Sequence, residues 1–222
     1  KTMDERIFYM NMCIKERLSK RELERQIDSG YYERYMLSQN PQSLALETAK
    51  KATGNIFLDN YVLDFLDVPD PMSEHDLQKS IIRNLKDFIL EIGKDFTFVG
   101  EEYRVQVGNH DFFIDLLFYH RGLSCLVAFE LKIGEFKPEY VGQINLYLEA
   151  LDREVKKENE NPSVGIILCA SKDDEVVEFA LSRSLSPTMV AEYNLKLIDK
   201  KLLQKKLKEY IELAKLTEDE NA

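Results

Sequence analysis

Cysteine is scarce here: Cys13, Cys125 and Cys169 are the only three in 222 residues. They lie far apart, with no zinc-ligand spacing, and the last two sit inside apolar runs, so they read as reduced core residues of a cytoplasmic protein. Long apolar stretches are also missing. The best of them, Val164–Ala170, falls far short of a bilayer span, which argues against a membrane protein. The chain opens on Lys1-Thr2-Met3 with no charged-then-apolar leader, leaving secretion unsupported and a trimmed fragment open. Repeats and low-complexity tracts are absent. Positive charge is not in excess: the formal net charge of -10 argues against a non-specific nucleic-acid coat protein. It does not argue against a hydrolase whose site is acidic until a cation arrives. Hydrophobic residues make up 44%, enough for a sizeable core in one large or two small domains.

Two β-prone runs then stand out. Phe112-Phe113-Ile114-Asp115-Leu116-Leu117-Phe118-Tyr119 is joined through His120-Arg121-Gly122-Leu123 to Cys125-Leu126-Val127-Ala128-Phe129-Glu130-Leu131-Lys132. Both are nearly continuous in apolar residues, yet one carries Asp115 and the other Glu130 and Lys132. Burying an ionised carboxylate without a partner is very costly, so these charges need a reason. Alternation puts Glu130 and Lys132 on one face, with Leu131 pointing away. If Gly122-Leu123 form a two-residue type II′ loop, Asp115 falls directly opposite Glu130. A slip of one residue leaves the two diagonal but still on one face. The bland alternative is an Asp115–Lys132 ion pair on a solvated edge, but the surroundings are too apolar for that.

Two carboxylates, a backbone carbonyl at Leu131 and water suit Mg²⁺ or Mn²⁺, hard cations that prefer oxygen. Such an ion acidifies a bound water and offsets charge on a phosphate, the chemistry of metal-assisted phosphodiester hydrolysis. Lys132 beside it is placed to orient or deprotonate the water, or to neutralise the phosphorane. Downstream, Pro138 suits a first helical position, and Val141, Ile144, Leu148 and Leu151 mark a helix to about Asp152. Gln143 and Tyr147 lie one turn apart on a neighbouring face of it.

Asp115, Glu130-Leu131-Lys132 and Gln143-Ile144-Asn145-Leu146-Tyr147 resemble the Asp…Glu-x-Lys…Gln-x-x-x-Tyr pattern of the PD-(D/E)xK nuclease superfamily. The longer run FFIDLLFYHRGLSCLVAFELKIGEFKPEYVGQINLYLEALD is similar to the YhcG-like family of bacterial nucleases, with the likeness extending over about residues 74–200. The resemblance implies a restriction-endonuclease-like fold, a Mg²⁺-dependent DNA endonuclease, and Asp115, Glu130, Lys132, Gln143 and Tyr147 as its site. It also implies a ligating glutamate on the helix before the first strand. Here that helix starts after Ser73, and the expected position holds Gln78, with Glu91 near its end as the other candidate. The alternative is a non-catalytic binding member that keeps the fold.

From Glu74 the order helix, strand, strand, strand, helix, strand predicts an αβββαβ sandwich, a mixed sheet with helices on its faces. Val68-Pro69-Asp70-Pro71 marks a boundary between a helical segment over 1–70 and the nuclease-like unit over 71–200. Residues 201–222 form an amphipathic helix and tail with Leu203, Leu207, Tyr210 and Leu213-Ala214 on one side. In the first segment Ile7, Met10, Cys13, Ile14 and Leu18 recur at helical spacing, and Ser19 with Glu22 forms a capping box. This is either a helix-turn-helix that contacts DNA through Arg21 and Arg25, or a homo-oligomerisation arm. The acidic residues among those arginines favour the arm. Asn40–Asn55 is expected to be a polar linker.

Overall fold

A computed structural model describes residues 2–39, 56–184 and 186–220. The linker expected over Asn40–Asn55 lies outside these residues, as do the side chains of Leu213 and Ala214. Three short helices come first: α1 (Met3–Glu16), α2 (Lys20–Asp28) and α3 (Tyr31–Ser38). Ser19 caps α2 in the expected box with Glu22. Gly30 opens α3 at φ +66, and a Cβ there would lie 2.7 Å from Leu203, so glycine answers both a left-handed backbone and a close approach.

The remaining described elements are β1 (Asn60–Val62), α4 (Glu74–Arg83), α5 (Leu85–Ile92), β2 (Phe96–Val107), β3 (His110–His120), β4 (Cys125–Leu131), α6 (Glu139–Glu154), β5 (Val164–Cys169), α7 (Asp174–Leu181), β6 (Thr188–Asn194) and α8 (Lys200–Glu220). The helix expected from Glu74 through Ile92 is thus two helices. They break at Asn84, whose φ of -110° and ψ of 30° leave the helical region. Ser73 caps α4 in a reciprocal box with Asp76.

Six strands form one mixed sheet in the order β1-β6-β5-β4-β3-β2. β1, β6, β5 and β4 run parallel, while β3 and β2 are antiparallel additions. Helices α4 and α5 cover one face through Leu77, Ile81, Phe88 and Ile92. Helices α6 and α7 cover the other through Val141, Ile144, Leu148, Leu151, Val177 and Leu181. Burial from both sides explains why every residue of β4 and β5 is buried.

The structure revises two further expectations. Asn60–Val62 is a strand of this sheet, parallel to β6, so the sheet draws a member from across the proline link. The turn after β3 is a four-residue loop, Arg121 to Ser124, closed by the His120–Cys125 pair. Ser124, not Gly122, takes the left-handed conformation (φ 51), and His120 Nδ1 accepts the Leu123 N–H at 3.0 Å to hold the loop. The expected register survives, because a four-residue loop closed at that pair leaves the strand alignment unchanged. The helical spacing of Ile7, Met10 and Ile14 does form α1, and these three face outward at 49%, 64% and 76% exposure.

Candidate active site

The β3–β4 ladder ends at Leu116–Phe129. The next free donor along β4, the Leu131 N–H, is taken by Asp115 Oδ2 at 2.7 Å. A side-chain oxygen thus replaces a main-chain partner, and that fixes the Asp115 carboxylate where the two strands part. Glu130 and Lys132 follow Leu126 and Ala128 in alternation, so they face α6. Glu130 and Lys132 are 2% and 8% exposed, which excludes a solvated edge. Lys132 Nζ donates to Glu130 Oε1 at 2.8 Å and approaches Glu74 Oε2 at 3.5 Å. The lysine therefore pairs with Glu130 rather than with Asp115. Its ammonium also sits over the Tyr140 ring, 5.0 Å from the centroid.

The electrostatics follow from burial and crowding. Burial raises the Asp115 pKa, opposed by the Leu131 N–H and the Lys132 charge and reinforced by Glu74 and Glu102. Glu130 is pushed up to about 7, first by burial and then by Asp115. For Lys132 burial works downward, but the hydrogen bond and charge of Glu130 outweigh it and the net shift is upward. Lys132 is accordingly a fixed cation. Tyr147 is raised by burial, with a hydrogen bond from Gln143 pulling the other way. Gln143 Nε2 donates to Tyr147 Oη at 2.8 Å, so the two residues expected on one helix face are in contact, and the tyrosine feels the charges of Glu130, Asp115 and Lys132.

Gln78 does reach this region, but as a support. Its Nε2 donates to the Asp115 main-chain oxygen at 2.8 Å. Glu91 does not join the cluster: one oxygen pairs with Arg34 at 2.6 Å and accepts the Val62 N–H, and the other pairs with Arg25 at 3.1 Å. Arg25 is also bonded to Asp64 and the Val62 carbonyl, so it is a structural clamp, whereas Arg21 is exposed. Glu74 and Tyr140 were not singled out from the sequence, although each carried a signal. Glu74 precedes Gln78 by one helical turn, and Tyr140 shares a helix face with Gln143 and Tyr147.

Among the described residues no three acidic, histidine or cysteine side chains gather into a metal cage. The donors are two strand carboxylates and the carbonyl that follows Glu130. One lone-pair donor stands open: Glu130 Oε2 is buried and has no hydrogen-bond partner. An orphaned buried carboxylate oxygen is costly. An oxygen-seeking cation that keeps several waters, such as Mg²⁺, fits this incomplete all-oxygen set.

Three kinds of similarity accompany this geometry. The family model of the YhcG PDDEXK nuclease domain matches residues 54–208. Over 211 residues the chain is 36% identical to an Escherichia coli (strain K12) protein named "Putative nuclease YhcG", covering 93% of this chain and 56% of that protein. The chain therefore spans little more than half of that relative's length. Among solved structures, a repair endonuclease from Pyrococcus abyssi aligns with a TM-score of 0.38 and 17% identity, over 57% of this chain and 48% of that one. An EndoMS–dsDNA complex aligns with a TM-score of 0.37 and 19% identity, over 55% and 43%. No helix among the described residues is long and apolar enough to cross a membrane.

Proposed function

Because the chain belongs to the YhcG family of PD-(D/E)xK nucleases, we propose that it is a Mg²⁺-dependent DNA endonuclease, with Mn²⁺ able to substitute. The observation that carries this reading is the buried, unpartnered Oε2 of Glu130 beside Asp115. Asp115, Glu130 and the Leu131 carbonyl would hold the ion, with water filling the other positions. When bound, it supplies a more acidic water and offsets phosphate charge.

The chain's own residues supply the rest. Lys132 stays protonated and is anchored by Glu130, Glu74 and the Tyr140 ring, so it stabilises negative charge developing on a phosphate oxygen rather than removing a proton. Asp115 is held in place by two contacts, one on its side chain and one on its main chain. The Tyr147 hydroxyl accepts from Gln143 and keeps its own proton, so it acts as a buried hydrogen-bond donor beside the site. Arg21 is the arginine of α2 left exposed for phosphate contact, since Arg25 is committed inside.

Incubating the chain with supercoiled plasmid and with branched DNA, in Mg²⁺ and in EDTA, tests the proposal. Nicking or linearisation that requires the ion is the expected result. No cleavage of either DNA in Mg²⁺ or Mn²⁺ would leave only the fold-retaining, non-catalytic reading.

A further inference from the structure

The face that each strand residue presents changes abruptly at Asp115. From Leu116 onward β3 alternates regularly: Leu116 and Phe118 pack with α4 and α5, while Leu117 packs with α6. An unbroken strand would place Ile114 with Leu116, yet Ile114 and Phe112 pack on the α6 side. On the partner strand, Glu101 pairs with Leu116 of the α4–α5 side, whereas two residues later Tyr103 pairs with Ile114 and packs with Val105 on the α6 side. The extra residue at the Phe98/Gly100 bulge does not account for this, because Glu101↔Leu116 and Tyr103↔Ile114 lie beyond it in one continuous register. Both switches fall at the same rung, between those two pairs, where Glu102 stands beside Asp115.

Glu102 has φ 44, the left-handed region, which is disfavoured for a non-glycine residue. That single residue turns the hairpin arm so that Tyr103, Val105, Phe112 and Ile114 close over α6. The same turn removes Asp115 from the ladder and leaves its carboxylate to the Leu131 N–H and its carbonyl to Gln78. The Glu102 side chain itself points outward, toward His75 at 4.0 Å, and is 63% exposed.

We infer that Glu102 is a positioning residue for the proposed nuclease site, acting through its left-handed backbone rather than its carboxylate to aim Asp115 at the cation. This rests on the proposed metal site and deepens it. The test is a series ordered by tolerance of positive φ: Glu102→Gly, Glu102→Asn, Glu102→Ala and Glu102→Val. Two readouts are taken on each full-length chain, the Mn²⁺ dissociation constant by titration and the exchange rate of the Leu131 amide without metal. Gly and Asn should match the parent within about threefold, and Val should lose Mn²⁺ affinity by about 10–100-fold, the range for a residue orienting a metal ligand. In Val the Leu131 amide should exchange as fast as in Asp115→Ala.

If Val does not fold, Ala carries the same expectation at smaller size, with Leu131 exchange rising above that of the parent. Equal loss in Gly and Val would make the carboxylate the active part and overturn the inference. Unchanged Leu131 exchange across the series would overturn it as well. A parent chain that binds no Mn²⁺ but keeps the graded Leu131 series would remove the metal reading alone and leave the positioning role standing.

Discussion

The two oxygens of Glu130 have different fates: Oε1 is bonded to Lys132, while Oε2 is buried and unbonded. The metal-free site is therefore strained by its own charge, and removing that charge should help the fold. Glu130→Gln is expected to raise metal-free stability by on the order of 1 kcal/mol in urea melts at pH 8 while abolishing stabilisation by Mn²⁺. A loss of stability would show that the Lys132 contact outweighs the cost of the unbonded oxygen. Lys132→Ala should slow cleavage by about 10²–10³, the effect of removing one charge-stabilising donor, while changing DNA affinity little. Affinity falling as far as the rate would make Lys132 chiefly an anchor. His120 gives a pH test. Burial against Phe96 and Phe57 lowers its pKa, and its Nδ1 must stay unprotonated to accept the Leu123 N–H. The unfolded chain then takes up the proton more readily, so this contribution is whole above about pH 6.5 and is lost as pH falls through the lower folded value. Thermal melts should drop more steeply below neutrality in the parent than in His120→Asn. At this scale Asp115, Glu130 and Lys132 stood out as candidates because charge inside apolar runs is conspicuous, and Gln143 and Tyr147 because they lie one helical turn apart. Glu74 and Glu102 were not, because a carboxylate at a helix start or on a half-exposed strand looks ordinary.

At the scale of elements, Glu91 shows what periodicity cannot see. Its place near a helix end suggested a ligand, but its partners are Arg34 and Arg25, brought from helices more than fifty residues away. Side-chain exposure is 1% for Arg34 and 0% for Glu91, so the pair is fully desolvated. Breaking such a pair by removing one partner leaves a buried charge and typically costs about 3–5 kcal/mol. Glu91→Gln should destabilise the chain by about that much in denaturant titration, with the Arg34→Met, Glu91→Leu double variant recovering most of it. Equal stability of Glu91→Gln and the parent would contradict the clamp. Strands β2 to β5, the α6 helix and the β3–β4 register were legible because period and apolar content agree there. The four-residue turn was not, because Gly122 invites a tight loop and the holding contact comes from a histidine side chain. The break at Asn84 and the strand Asn60–Val62 were also hidden: the first leaves the apolar period intact, and the second is too short to show a period.

Across the whole molecule, the amino-terminal helices are not a free appendage. Arg25 and Arg34 tie α2 and α3 to Glu91, and Lys200 and Gln204 of α8 bond to Glu5 and Glu33. The first and last described helices thus meet on the sheet's β1 side, where the sequence suggested separable segments. Net charge is -10, so attraction to the proposed DNA substrate would fall to local groups and to the proposed ion rather than to the overall field. If Asp115, Glu130 and the Leu131 carbonyl bind a divalent cation as proposed, an anomalous difference map from crystals grown with Mn²⁺ will show it. A single strong peak is expected within about 2.0–2.4 Å of carboxylate oxygens of both Asp115 and Glu130, absent in Glu130→Gln. A map with no peak there in the presence of DNA, or a peak that persists in Glu130→Gln, would contradict it.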